Sequence, residues 1–286
     1  MLIAFKLKMA LVCAAGFAGP LAVSPLLTEH GSADAVLRDQ QALVELQPGT
    51  VSYRLAGDFT RGGKQAEAPL LPVCFAKPLS IMKHQVSAAD YQRCVDEGAC
   101  RAVERGVIVA ADRPAVQVSW HDADAYAGWL SRKTGEQYRL PTDEEWAFAA
   151  GSKFKDDGMP VDDTDPSKRW IARYERESNR DFAADSAPQP FGSFGANENG
   201  LLDVGGNVWE WTSTCFVRTS LDDTGGTLSK NPNCGVRVAE GQHRSYVTDF
   251  VRDARAGGCA AGLPPSNLGF RLVRESKRAR FGWPAI

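Results

Sequence analysis

Residues 114–150 read PAVQVSWHDADAYAGWLSRKTGEQYRLPTDEEWAFAA, and two helices are written into them by their ends. Ser119, with Asp122 three positions on, forms a capping box: hydroxyl and carboxylate each satisfy a backbone N–H that a helix's first turn leaves open. Tyr126, Trp129 and Leu130 then recur at the spacing of one helical face, and Gly135 supplies the residue at which the helix stops. Thr142 and Glu145 repeat the box just after Pro141; Trp146, Ala149 and Ala150 face inward, and Gly151 closes the segment. A third helix precedes these two. Ser87 and Asp90 open it, Tyr91, Cys94 and Val95 form its apolar stripe, and Gly98 ends it.

Outside the helices the pattern changes. Residues 36–80 predict short strands around turns, with Tyr53-Arg54-Leu55 running into Gly57-Asp58 and with Arg61-Gly62-Gly63-Lys64 as a turn. Beyond Gly151 the chain is mostly Gly, Asn, Asp and Pro between isolated aromatics, which predicts loops and short strands. The 286 residues contain 27 Gly, 16 Pro and 26 aromatics (13 Phe, 7 Trp, 6 Tyr). That is a turn-rich chain held by aromatic packing, not a helical bundle. A net charge of -2 leaves no basic footprint for nucleic acid.

The N-terminus predicts export. Lys6 and Lys8 precede an uncharged run from Met9 to Val23 and a small-residue stretch ending Ser32-Ala33-Asp34-Ala35, the order of a secretory signal peptide. Residues 1–35 are assigned to it and 36–286 to the mature domain, periplasmic or secreted. A permanent anchor is the competing reading. However, an apolar run of about 15 residues that contains Pro20 falls short of the ~20 a spanning helix needs, so no membrane span is expected after cleavage. Cys13 leaves with the signal, and an even set of six cysteines remains. In an oxidising compartment such a set reads first as disulfides. Cys94 and Cys100 flank Gly98, where the chain can double back. Cys215 and Cys234 bracket the polar stretch from Leu221 to Pro232. By elimination Cys74 pairs with Cys259; otherwise Cys259 is a free thiol.

Three blocks in order, residues 114–150, GLLDVGGNVWEWT at 200–212 and NLGFRLV at 267–273, resemble the formylglycine-generating enzyme or sulfatase-modifying factor family. The likeness runs from about Pro48 to Glu275. It implies a single compact α+β domain with little regular secondary structure, related to C-type lectin folds. It also implies an active site at which two cysteines bind copper and oxidise a sulfatase cysteine. The family element H-R-S-Y-C stands here as His243-Arg244-Ser245-Tyr246-Val247. Val247 takes the first cysteine position and Arg252, within a residue, the second. Neither offers the soft thiolate that copper(I) prefers, so neither copper nor formylglycine generation is expected. No histidine pair replaces the thiols: His84, His121 and His243 are read as hydrogen-bonded residues, not metal ligands.

Two site expectations follow. Asp203 and Glu210 flank a glycine-rich turn, and mixed carboxylate and carbonyl oxygens suit calcium. The resemblance implies one structural calcium on the side chains of Asp203 and Glu210 and the carbonyls of Gly206 and Val208; a solvated acidic turn is the bland alternative. The family's peptide groove would be lined by His243, Arg244, Ser245, Tyr246, Arg252 and Arg255, with Trp209 beside them, unless Arg252 and Arg255 simply pair with Asp249 and Asp253. Trp209 and Trp211 otherwise read as core.

The resemblance is to cysteine-depleted, exported members, above all to accessory proteins of nitrite reductase. The expected function is accessory or maturation factor for a periplasmic client protein or peptide, such as a copper nitrite reductase. One alternative is a metal- or thiol-dependent oxidase of a peptide or small molecule, as in pyoverdine maturation. The other is a calcium-dependent ligand-binding module.

Overall fold

A computed structural model describes residues 42–103, 110–155, 171, 187–252 and 267–275; the expected boundary at Ala35 lies outside them. The three helices sit where their caps place them. Helix α1 is Ala88–Asp96, α2 is Trp120–Thr134 and α3 is Asp143–Ala150. Both α2 and α3 carry a complete capping box, Ser119 with Asp122 and Thr142 with Glu145. At α1 only half the box forms. Ser87 accepts from the Asp90 amide, but the Asp90 carboxylate takes the Ser87 hydroxyl instead of a backbone N–H. Gly98 and Gly135 adopt φ of 71° and 70°, the left-handed conformation that ends a helix without a Cβ clash.

Among the described residues, twelve strands fall into three sheets. A four-stranded antiparallel sheet runs β1 (Leu43–Leu46), β6 (Leu79–Met82), β12 (Val273–Glu275) and β7 (Gln137–Arg139). It joins the start of the described chain to its end. A second sheet has the order β10 (Ser245–Thr248), β9 (Thr227–Glu240), β8 (Trp209–Leu221), β3 (Asp58–Arg61) and β4 (Lys64–Ala66), with β11 (Leu268–Gly269) pairing parallel to β8. The Gly62–Gly63 turn links β3 to β4 as its sequence predicts. The third sheet is the pair β2 (Gly49–Arg54) and β5 (Leu70–Phe75).

The core has two parts. In one, Tyr91 of α1 and Tyr126, Trp129 and Leu130 of α2 pack with Trp211, Val247 and Phe270. Tyr126 meets Phe270 edge-on at 5.5 Å. In the other, Trp146 of α3 lies among Leu46, Ile81, Leu201 and Val273 against the four-stranded sheet. Each buried side chain of this size contributes about 2 kcal/mol, and truncating Trp146 to Ala would cost about 3–5 kcal/mol.

The second half departs from expectation in one respect. In place of short strands it holds a long hairpin, β8 and β9, of 13 and 14 residues. Bulges between Trp211 and Phe216 and at Ser220–Leu221 break the two-residue alternation by which a strand is recognised, and residues 227–235 are solvated and polar. Cys215–Cys234 and Cys94–Cys100 are both disulfides as expected. Cys215–Cys234 staples paired strands, however, and does not merely close a loop. Cys74 is a free, exposed thiol here; its expected partner Cys259 lies outside the described residues. Among those residues no helix is long and apolar enough to cross a membrane.

Candidate functional site

Strand β10 carries the element aligned with the family's first cysteine. It pairs antiparallel with β9, Val247 opposite Arg237 and Tyr246 opposite Val238. Successive side chains on a strand alternate in direction, so Ser245 and Val247 turn inward while Tyr246 turns out. Val247 is 7% exposed and belongs to the aromatic core. Where the family's catalytic thiol is expected, this chain has a packed isopropyl group.

Arg252 stands at the second cysteine position. Its Nε donates to Asp122 Oδ2 at 2.7 Å and its Nη1 to the Ala102 carbonyl at 2.7 Å. Asp122 is the acidic member of the α2 capping box, so Arg252 latches the end of β10 to the start of that helix. Burial alone would raise the Asp122 pKa. The hydrogen bonds from Arg252 and Ser119 outweigh it and hold the carboxyl below its ordinary value. Of the two readings, the arginine does form an ion pair, but with Asp122 and not with Asp249. Asp249 instead faces His121, Nε2 to Oδ2 3.2 Å. Arg255 lies outside the described residues.

Arg244 does not line a groove either. Its guanidinium is fully buried, donating Nε to Glu240 at 2.8 Å and Nη1 to the Arg54 carbonyl at 3.1 Å, with Nη2 3.0 Å from Asp143. Tyr53 donates a short hydrogen bond to the same Asp143 oxygen. Burial and then the Asp143 charge drive the Tyr53 pKa far above the usual phenol range, so the hydroxyl stays a donor. His243 is buried too. Its Nδ1 is 2.9 Å from the Arg244 carbonyl and its ring stands edge-on to Trp209 at 5.5 Å. Trp209 donates Nε1–H to the His243 carbonyl at 3.2 Å. Ser245 is likewise buried. Of residues 243–246, Tyr246 alone keeps part of its surface in solvent, with its hydroxyl accepting the Gly57 amide at 2.7 Å and its ring against Phe216.

The four-residue calcium set does not fit a cation in this structure. Both carboxylates are completely buried, but protein donors occupy them. Glu210 accepts four hydrogen bonds: from Gln85 Nε2 at 2.7 Å, Trp146 Nε1 at 2.9 Å, and Arg271 Nη2 at 2.7 Å and Nε at 2.5 Å. An ionised carboxylate has about four lone-pair sites, so calcium would have to displace a guanidinium. Asp203 accepts the amides of Gly192 at 2.6 Å and Phe194 at 2.8 Å, fixing the 190–195 loop. Among the described residues no group of three or more His, Cys, Asp or Glu side chains is arranged to hold a metal.

Sequence reasoning missed three residues here. Arg271 is completely buried and neutralises Glu210; its position between Phe270 and Leu272 was the available signal. Asp143, the first residue of α3, is completely buried where Tyr53 and Arg244 meet it. Arg237 lies flat over the Trp120 ring at 3.8 Å and donates Nη1 to the Ser213 carbonyl at 2.8 Å; nothing in the polar stretch around it announced that contact.

The family model for the sulfatase-modifying factor enzyme 1-like domain matches residues 33–276. The formylglycine-generating enzyme of Streptomyces coelicolor is 31% identical over 174 residues, 58% of this chain and 54% of that protein. The inactive C-alpha-formylglycine-generating enzyme 2 of Mus musculus is 34% identical over 181 residues, 61% of this chain and 53% of that one. The aligned part thus spans about half the length of these curated relatives. Among solved structures, PvdO from Pseudomonas aeruginosa matches with a TM-score of 0.51 and 25% identity over 82% of this chain and 94% of its own. With a family model covering most of its length and its three helices, sheets and buried aromatic core in one α+β domain, this chain belongs to the sulfatase-modifying factor enzyme 1-like family.

Proposed function

We propose that this chain is an exported, non-catalytic member of its family that serves as accessory or maturation factor for a client protein, such as a periplasmic copper nitrite reductase. One observation carries the reading: the two positions at which family members are expected to hold copper thiols are a core valine, Val247, and a structural arginine, Arg252, latched to Asp122. Neither can ligate copper(I) or form a thiolate, whereas both stabilise the scaffold. The likeness to an inactive formylglycine-generating enzyme 2 supports the same view. A non-catalytic partner acts through its surface, so the client is expected to bind as a protein or peptide and not to be turned over. The test is co-expression with a candidate nitrite reductase, reading copper loading of the client with and without this chain. Loading that drops without the chain supports the reading, and loading that is indifferent to it refutes the assignment of that client.

A second reading, a thiol- or metal-dependent oxidase acting on a peptide or small molecule, draws on a different observation. The relatives include a formylglycine-generating enzyme, and among the described residues this chain has a free exposed thiol, Cys74, on β5. Cys74→Ser separates the two: an oxidase that uses this thiol loses oxygen consumption, while the accessory role is untouched.

A further inference from the structure

Three residues stand in one row across the sheet: Cys215 of β8 opposite Arg237 of β9, and Arg237 opposite Val247 of β10. The row ends on the disulfide Cys215–Cys234, whose sulfurs differ in surroundings. Cys234 lies on the solvated half of β9 and is exposed, whereas Cys215 is half-buried. Arg237 Nη1 sits 3.1 Å from Cys215 Sγ. The guanidinium is held there by the Ser213 carbonyl and by the face of Trp120.

This cation is undercompensated. Its Nε is buried without a hydrogen-bond partner, and among the described residues no carboxylate forms an ion pair with it. Burial pulls its pKa down, opposed only by the more distant charges of Asp249 and Asp124. A negative charge on Cys215 would supply the missing counterion at hydrogen-bond distance, and a neighbouring guanidinium favours thiolate over thiol.

We propose that Cys215–Cys234 is a thiol–disulfide exchange site, with Cys234 the sulfur attacked and Cys215 the leaving group. An incoming thiolate forms a bond to Cys234 Sγ. The Cys215–Cys234 bond breaks, and its electron pair stays on Cys215 as a thiolate beside Arg237. A second thiolate then attacks the incoming sulfur of the mixed disulfide and releases Cys234. The sum is two external thiols oxidised to one disulfide while the protein disulfide is reduced to two thiols. Exchange is faster when the leaving thiol has a low pKa and the attacked sulfur is accessible, and this pair combines the two. Its own molecule carries the contrast: Cys94 and Cys100 are 0% and 8% exposed. The site does not depend on the family's lost thiols or on the identity of a client. The attacking group is a thiolate, from a small molecule or from an extended peptide.

The test treats the full oxidised protein with reduced glutathione and, separately, with a ten-residue peptide containing one cysteine. Reactions are quenched in acid, alkylated and mapped by mass spectrometry. The expected result is an adduct on Cys234, with Cys94–Cys100 intact and exchange at Cys215–Cys234 at least tenfold faster than at the buried pair. Arg237→Met is expected to slow that exchange several-fold, and Arg237→Lys, which keeps the charge, to restore part of it. The faster of the two reagents identifies the kind of thiol the site prefers. Adduct mainly on Cys215, equal rates at the two disulfides, or an unchanged rate in a folded Arg237→Met variant would each overturn the proposal. The first two readouts need no variant.

Discussion

Arg252 reaches back across 130 residues of sequence to donate to Asp122 at 2.7 Å, closing the end of β10 onto the capping box of α2. At the position of a lost thiol, the chain has installed a latch. Both partners are nearly buried, with side-chain exposures of 11% and 8%, so screening by solvent is slight. A charged hydrogen bond of this kind is worth about 2 kcal/mol. Arg252→Ala is therefore expected to lower unfolding stability by about that amount in urea titrations. A change under a few tenths of a kcal/mol would show that the latch is incidental.

The same pair sets a pH dependence. The Asp122 carboxyl titrates below its ordinary value in the folded chain. Its contribution is therefore complete above the unfolded aspartate pKa of about 4 and is lost as pH falls through the lower folded value. Stability curves of wild type and Arg252→Ala should differ fully above the unfolded value of about 4 and converge as pH falls through the lower folded value. A gap that widens in acid would reverse the sign and contradict the assignment.

Arg271 and Glu210 form a completely buried, bidentate pair. Removing one partner leaves the other charged and uncompensated, at a cost of about 3–5 kcal/mol. Glu210→Gln and Arg271→Met should each destabilise the fold to that extent. The double variant should lose less than the sum, because no lone charge remains. Additive losses in the double-mutant cycle would mean the two side chains act separately.

Because Glu210 is already saturated, millimolar calcium is expected to leave the melting temperature unchanged within about a degree. A ligand that binds only the folded state raises stability with its concentration. A calcium-dependent rise of several degrees would therefore show that the ion displaces Arg271 and that the site expected from Asp203, Gly206, Val208 and Glu210 exists.

The Cys215–Cys234 bond closes a span of 19 residues. Chain-entropy reasoning for a loop of that size gives about 3 kcal/mol. The Cys215→Ala/Cys234→Ala variant should lose roughly this much and fray the hairpin first, seen as faster amide exchange in residues 216–233. Uniform exchange across the molecule would place the stabilisation elsewhere.

Local chemistry was the legible part of this fold. Ser119, Asp122, Thr142 and Glu145 announced two helices because a capping box acts within four residues, and Gly62–Gly63 announced a turn for the same reason. The β8–β9 hairpin was not legible, since bulges scramble the alternation that would have revealed it. At the site, Val247 and Arg252 could be recognised as substitutions for thiols from the neighbouring motif alone. Their surroundings could not. Arg244 meets Asp143 and Tyr53, and Glu210 meets Arg271, across gaps of 61 to 191 positions (244 − 53 at the longest), which no periodicity encodes. For the same reason the acidic pair that suits calcium on paper proved to be two carboxylates already engaged by amides, an indole and a guanidinium.

The central claim is that this family member carries no thiol at either position, 247 or 252, at which copper thiols are expected in its family. Its most direct test is the copper retained per chain after cuprous loading and passage over a competing chelator. Far below one equivalent is the predicted result, equal in wild type and Arg252→Ala. One equivalent of tightly held copper per chain would contradict it.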